Sequence, residues 1–317
     1  MRDFRVRRFF LLSAILLLLT ATVQAGQRKP VCVLDDSKRT LCLDKPARKI
    51  ISLSPGSTEL LFAAGAGQFV IAVDKNSNYP LSVKKLPSVG GHKSVNVEAI
   101  LGMQPDLIVV WSSGSSDRVI RKIEALGLNT LHLDAKEFDQ IGSAIQKLAI
   151  LAGTEKAAQK SIKQFNKRLS ALNEKYSSKE TVTVFYEVWR DPLLTINGDQ
   201  LISKTIKLCG GHNIFSEAVV LVPTVSKEVL FARNPEVILG SEHQKSNRDS
   251  LREYWQQFSS LTAVKRQQIY TVPADLISRP TPRLLEAAEQ VCQIFQSVRN
   301  AREEAVTNNK THSDEKA

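Results

Sequence analysis

The phrase VNVEAILGMQPDLIVVW, residues 95–111, has a counterpart in VSKEVLFARNPEVILG, residues 225–240. Glu98 matches Glu228, Pro105 matches Pro235, and the acid Asp106 matches Glu236, each at an offset of 130 residues. Both phrases carry the same physical content. A short helix is stopped by proline, which lacks an N–H and crowds the preceding turn. A buried apolar strand follows. Around each phrase strands alternate with helices, the signature of βαβ units and a parallel sheet. The pattern predicts two similar α/β lobes.

In the first lobe, apolar runs KIISL and FVIAV flank a helix over ELLFAAGAG, capped by Ser57 or Thr58 with Glu59 in its first turn. Asn96 caps the repeated helix, LIVVW is its strand, and a helix over 117–126, the strand NTLHLD and a helix over 138–151 complete the lobe. Residues 154–178 contain no Gly or Pro. Ala158, Ile162, Phe165, Leu169 and Leu172 recur there at helical spacing, which predicts one helix of roughly 35 Å at about 1.5 Å per residue. Alternation then resumes and ends in a helix from Pro282 to about Arg299. The expected class is α/β: two α/β lobes with parallel sheets joined by one long rigid helix. The lobes span 26–153, with a small N-terminal hairpin, and 179–300, the connecting helix spans 154–178, and a polar disordered tail covers 301–317.

Residues 1–25 have the layout of a secretory signal peptide. Four arginines lead into the apolar run LLSAILLLLTATV, too short to span a bilayer, and Val23-Gln24-Ala25 supplies the small residues of a cleavage site. The mature chain is expected to begin at Gly26 and to reside in the periplasm. The leader holds +3 of the formal net charge of +11. Much of the remaining excess lies on helical lysines such as Lys156, Lys160, Lys163 and Lys167, a solvated face without interleaved aromatics, so no nucleic-acid partner is expected. Four cysteines in an exported chain argue for disulfides. Cys32 and Cys42 sit opposite each other in the hairpin pattern VCVLDDSKRTLCL, leaving Cys209 and Cys292 to pair. Four cysteines allow three connectivities. A zinc site is the alternative, against which stand the lack of any C-x-x-C pair and the scatter of the histidines.

The stretches IISLSPGSTELLFAAGAG, SVNVEAILGMQPDLIVVW, VFYEVWRDPLLTING, LCGGHNIF and ADLISRPTPRLLEA, in this order, resemble the Fe³⁺-siderophore and cobalamin class of periplasmic substrate-binding proteins of ABC importers, and within it the cobalamin-binding proteins. The resemblance covers roughly residues 31–297. It implies a helical-backbone fold of the metal-receptor type with the ligand between the lobes. It implies a corrinoid ligand (cobalamin or a relative), with haem or a ferric siderophore as the alternative. It implies a monomer that docks on the permease dimer of the inner membrane through one glutamate per lobe, here Glu98 and Glu228. Cleft residues carried over by position are Trp111, Trp189, Asp275 and Arg279. At three places the chain departs from the pattern. Asn76 stands where the receptors can carry a tyrosine, and His92 and Val222 stand where they can carry tryptophan. The His92 imidazole is a candidate ligand for a metal centre in the bound molecule. No resident metal or cofactor is expected.

An enzyme is not expected. Ser54 and Ser57 lie on a strand-to-helix turn, but no G-x-S-x-G is present. The glycines Gly65 and Gly67 follow a helix rather than open one, and no third glycine completes a dinucleotide fingerprint.

Overall fold

A computed structural model describes residues 29–314 apart from 92–93 and 243–244. The leader and His92 lie outside the described residues. The chain opens with an antiparallel hairpin of β1 (Val31–Leu34) and β2 (Thr40–Leu43), in which Cys32 and Cys42 are register partners and form a disulfide. Next come β3 (Ile50–Ser52), α1 (Pro55–Ala63), β4 (Val70–Val73) and the short pair β5 (Gly90–Gly91) and β6 (Ser94–Val95). The lobe continues through α2 (Val97–Met103), β7 (Leu107–Trp111), α3 (Asp117–Ala125), β8 (Thr130–Leu133) and α4 (Phe138–Ala152). Helix α5 (Glu155–Tyr176) leads into β9 (Val182–Glu187), α6 (Leu201–Leu208), β10 (Gly211–Asn213), α7 (Lys227–Arg233) and β11 (Val237–Glu242). The chain ends with α8 (Lys245–Gln256), α9 (Thr262–Lys265), β12 (Ile269–Pro273), α10 (Ala274–Ile277) and α11 (Leu284–Asp314).

The two sheets are parallel and share one topology. The first runs β4-β3-β7-β8 and the second β10-β9-β11-β12, so each has the second strand of its lobe outside the first and the third inside it. The repeated phrase is reproduced in atomic detail. Asn96 and Ser226 cap α2 and α7 by accepting from the backbone N–H groups of Ala99 and Val229. Both helices end on a left-handed residue, Gln104 (φ 49°) and Asn234 (φ 42°), immediately before the proline. Each acid then ties the next strand to its neighbour. Asp106 accepts from the backbone of Arg48 (2.7 Å) and Lys49 (2.8 Å), and Glu236 accepts from the backbone of Thr183 (3.1 Å).

Helix α5 buries Ala158, Phe165, Leu172 and Tyr176 along one stripe. These residues belong to a single apolar core that runs from Val33 in the hairpin through both lobes to Val298 in α11. Each lobe adds a cluster of its own. That of the first is aliphatic, around Ile51, Ile108 and Val110. That of the second is aromatic, around Phe185, Phe215 and Trp255. A second disulfide, Cys209–Cys292, pins the end of α6 to α11.

Two expectations are corrected. The first helix is capped by Ser54, whose hydroxyl accepts from the Ser57 N–H, with Pro55 as its first residue. Proline at this position needs no N–H partner and has its φ already set for a helix. This moves Glu59 out of the first turn. The last helix does not stop near Arg299 but continues to Asp314, so residues 301–314 are helical rather than disordered. No Gly or Pro interrupts AREEAVTNNK, and Arg302 anchors its first turn by donating to Glu236 and to the Thr181 carbonyl.

Candidate functional site

In a sheet of this topology, ligands bind where the strand order reverses, at the carboxyl ends of the first and third strands. In the first lobe these ends are Ser52 and Trp111. Trp111 opens onto a cavity of about 880 Å³ between the lobes, and Ser52 is buried. The floor comes from the start of α1 (Ser54 to Ser57 and Leu60) and from residues 73–78 after β4. Beside it hydroxyls bond one another: Thr58 donates to Ser52 Oγ (2.9 Å) and is bonded to Ser77 Oγ (2.9 Å), and Ser54 donates to Ser57 Oγ (2.8 Å). One wall is apolar, with Val83, Leu86, Leu133 and Ala135. The opposite wall is supplied by the second lobe through α10 and the turn after it, with Asp275, Ser278, Arg279 and Pro280.

Trp111 lines this cavity and is 38% exposed at the end of β7. Its ring lies directly on the backbone of Gly114. A Cβ built there would stand 2.0 Å from Trp111 Cε3, so only glycine leaves the indole in this orientation. Asn76 also lines the cavity, and its N–H donates to Asp74 Oδ1 (2.7 Å).

Asp275 and Arg279 are paired on α10 and the following turn, and the pair reaches across the lobes. Asn78 of the first lobe donates to Asp275 Oδ2 (2.6 Å) and accepts from Arg279 Nη1 (2.7 Å). The same Nη1 donates to Glu59 Oε1 (2.8 Å). Thr281 Oγ1 donates to Glu59 Oε2 (2.9 Å) and Arg283 Nη1 to Glu59 Oε1 (3.2 Å), while the Arg283 guanidinium lies 4.0 Å over the Tyr79 ring. Glu59 and Asn78 carried no signal for these contacts in the sequence, because their partners lie about 200 residues away. The approach of the lobes is close here: a Cβ on Gly56 would touch Pro280 and Thr281 at 3.7 and 3.8 Å.

The second lobe closes its own switch point. At the end of β9, Glu187 accepts from the indole N–H of buried Trp255 (2.6 Å) and from Arg190 (3.0 Å), whose guanidinium lies 4.3 Å over the Tyr254 ring. Trp189, expected to mirror Trp111, is not among the described residues lining the cavity. It is 63% exposed, and its indole N–H donates to the Asp191 carbonyl (2.8 Å). Val222 lies in an apolar run, Val219–Val222, that is exposed throughout.

Glu98 and Glu228 occupy the first turns of α2 and α7. The exposed Glu228 carboxyl is held below the ordinary carboxylate value by its own backbone N–H and by the Ser226 hydroxyl. Among the described residues no group of three or more His, Cys, Asp or Glu is placed to hold a metal ion.

The pattern of the periplasmic binding protein family matches residues 50–276. The chain belongs to this family. It is a transport component of the periplasm rather than an enzyme, and it carries no resident cofactor. The vitamin B12-binding protein of Vibrio cholerae serotype O1 is 37% identical over 247 residues, which cover 78% of this chain and 88% of that protein. The crystal structure of the periplasmic vitamin B12-binding protein BtuF of Vibrio cholerae superposes with a TM-score of 0.73 at 36% identity, over 80% of this chain and 98% of that one. The haem-binding protein RhuT of Roseiflexus sp. RS-1 shares the fold, with a TM-score of 0.69 at 21% identity over 78% of this chain and 98% of that one.

Proposed function

We propose that this binding protein captures a corrinoid, cobalamin or a close relative, and delivers it to the permease of an ABC importer. The observation that carries the reading is the chemistry of the interlobe cavity. At about 880 Å³ it is near the upper end of ligand pockets, and it offers one aromatic face, aliphatic walls and a small polar edge. A corrin is broad, mostly apolar and fringed with amides. Trp111 would cover part of its face, while Asp275, Arg279 and Asn76 form the polar side. Trp189, exposed after the first strand of the second lobe, is the second aromatic candidate for the ligand face. The similarity to the vitamin B12-binding protein of Vibrio cholerae, along most of both chains, supports the same ligand class.

Glu98 and Glu228 are the docking carboxylates in this reading. They sit at equivalent positions of two lobes related by one repeated topology, which suits a permease dimer with two-fold symmetry. The receptor acts as a monomer, cleaved before Gly26. Titration calorimetry and visible spectra with cobalamin, cobinamide and haem test the ligand. Binding of both corrinoids at micromolar concentration is expected. Binding of haem or a ferric siderophore, with silence from the corrinoids, overturns the corrinoid assignment.

A further inference from the structure

We propose that Glu59 is the positioning residue of the ligand face, a first-lobe carboxylate that sets the polar edge supplied by the second. The proposal rests on the reading of the cleft as a corrinoid site. Glu59 projects from α1, and its side chain is only 2% exposed. Its three side-chain partners all come from the other lobe: Arg279, Thr281 and Arg283. A carboxylate buried in this way is tolerated only when cations and donors compensate it, and here two guanidiniums and a hydroxyl do so.

The bonds form an ordered chain. Arg279 Nη1 is shared between Glu59 and Asn78, and its Nη2 holds Asp275. Asn78 closes the circuit by donating to Asp275. Arg279 is committed to protein acceptors and only 12% exposed, whereas the Asp275 side chain is 43% exposed to the cavity. Asp275 therefore presents the acceptor oxygens, and the peripheral amide N–H groups of a corrinoid are the matching donors. Glu59 touches no ligand. It fixes the Arg279 fork, and the fork fixes the Asp275 carboxylate and the Asn78 amide.

The test uses Glu59→Gln, which keeps the shape but removes the charge, and Thr281→Val, which removes one bond to Glu59. Titrations compare cobinamide, which carries amide arms, with the heptamethyl ester of cobyrinic acid, whose arms have no N–H donors. In Glu59→Gln the affinity for cobinamide should fall about 10- to 100-fold, as expected when a charged hydrogen-bond network loses a member. Affinity for the ester should stay within about threefold, and Thr281→Val should show the same pattern at smaller amplitude. Equal weakening of both ligands would reveal a merely structural role and overturn the proposal, as would no change in either. Hydrogen exchange of the ligand-free protein provides a second readout. Exchange in segments 76–80 and 275–281 should quicken together in Glu59→Gln, and unchanged exchange overturns the proposal even if no corrinoid binds. Wild-type protein that ignores both corrinoids refutes the ligand reading instead.

Discussion

The two lobes have the same strand order and the same helix–proline–strand phrase, yet they treat the same topological position in opposite ways. At the first lobe's switch point, Trp111 lies on a bare glycine and faces the cavity. At the second lobe's, Glu187 is sealed under Trp255. The second lobe reaches the cavity from its last strand, through Asp275 and the turn after it. Duplication of a fold thus does not duplicate its site. A switch point is a place where a ligand can bind, and side chains decide whether it stays open. The closed lobe gains an aromatic cluster and the open lobe gains a cavity wall.

The comparison can be broken most forcefully at the disulfides. Removing Cys209–Cys292 releases an 83-residue loop in the unfolded chain and should cost about 4–5 kcal/mol, against about 3 for the hairpin pair with its separation of 10. Urea denaturation of the two double-alanine variants measures both. Equal losses would show that chain entropy does not govern the difference.

The tryptophans should give crossed readouts. Trp255→Ala empties a fully buried site and should cost about 3–5 kcal/mol of stability, with corrinoid affinity changed little in the folded fraction. Trp111→Ala should leave the melting temperature nearly unchanged and weaken corrinoid binding by about 10- to 100-fold, roughly 1–3 kcal/mol. A smaller effect is expected from Gly114→Ala, which keeps Trp111 but displaces its ring, with about a tenfold loss of affinity. Binding at wild-type strength by Gly114→Ala would show that indole orientation is unimportant.

The smallest effect concerns pH and the hairpin that only the first lobe carries. His132 and Arg39 both bond Glu124 there, at 2.9 and 2.6 Å. Burial pulls the Glu124 carboxyl upwards, but bonds from Thr130, Arg39 and His132 prevail and hold it below the ordinary 4.5. A depressed acid stabilises the fold above its unfolded value, and that contribution is lost as pH falls through the lower folded value. Hydrogen exchange around Arg39 should therefore quicken modestly below about pH 4.5, and less so in Glu124→Gln. Acid loosening that begins in the second lobe would contradict this.

Much of the architecture was legible because its signals are local. Proline breaks, apolar runs and an uninterrupted helical stripe specify the lobes, their helices and α5 without reference to distant residues. The tail's polar composition suggests disorder, whereas no breaker separates it from the rest of α11 and Arg302 holds its first turn. Within the site, Trp111 could be read from its place at a strand end, and the pairing of Asp275 with Arg279 from their spacing. Glu59 and Asn78 could not be, since a carboxylate in a helix looks the same whether it faces water or a guanidinium 220 residues away. Trp189 is placed by the symmetry of the lobes, and there the indole is exposed and bonded to the Asp191 carbonyl.

Helix α5 runs unbroken between the lobes with its apolar stripe inside a core common to both, and Glu59 on one side and the Glu137–Lys204 pair on the other bridge the same boundary. Such a frame ties the elements that carry Glu98 and Glu228 to one scaffold and limits how far they can move apart when the cavity is filled. With the docking role proposed for them, an empty receptor offers the permease the same two carboxylates as a loaded one. Empty and loaded receptors then compete for a single dock, and uptake follows the fraction that is loaded rather than the number of receptors present. Overproducing the receptor at scarce ligand should slow transport instead of speeding it.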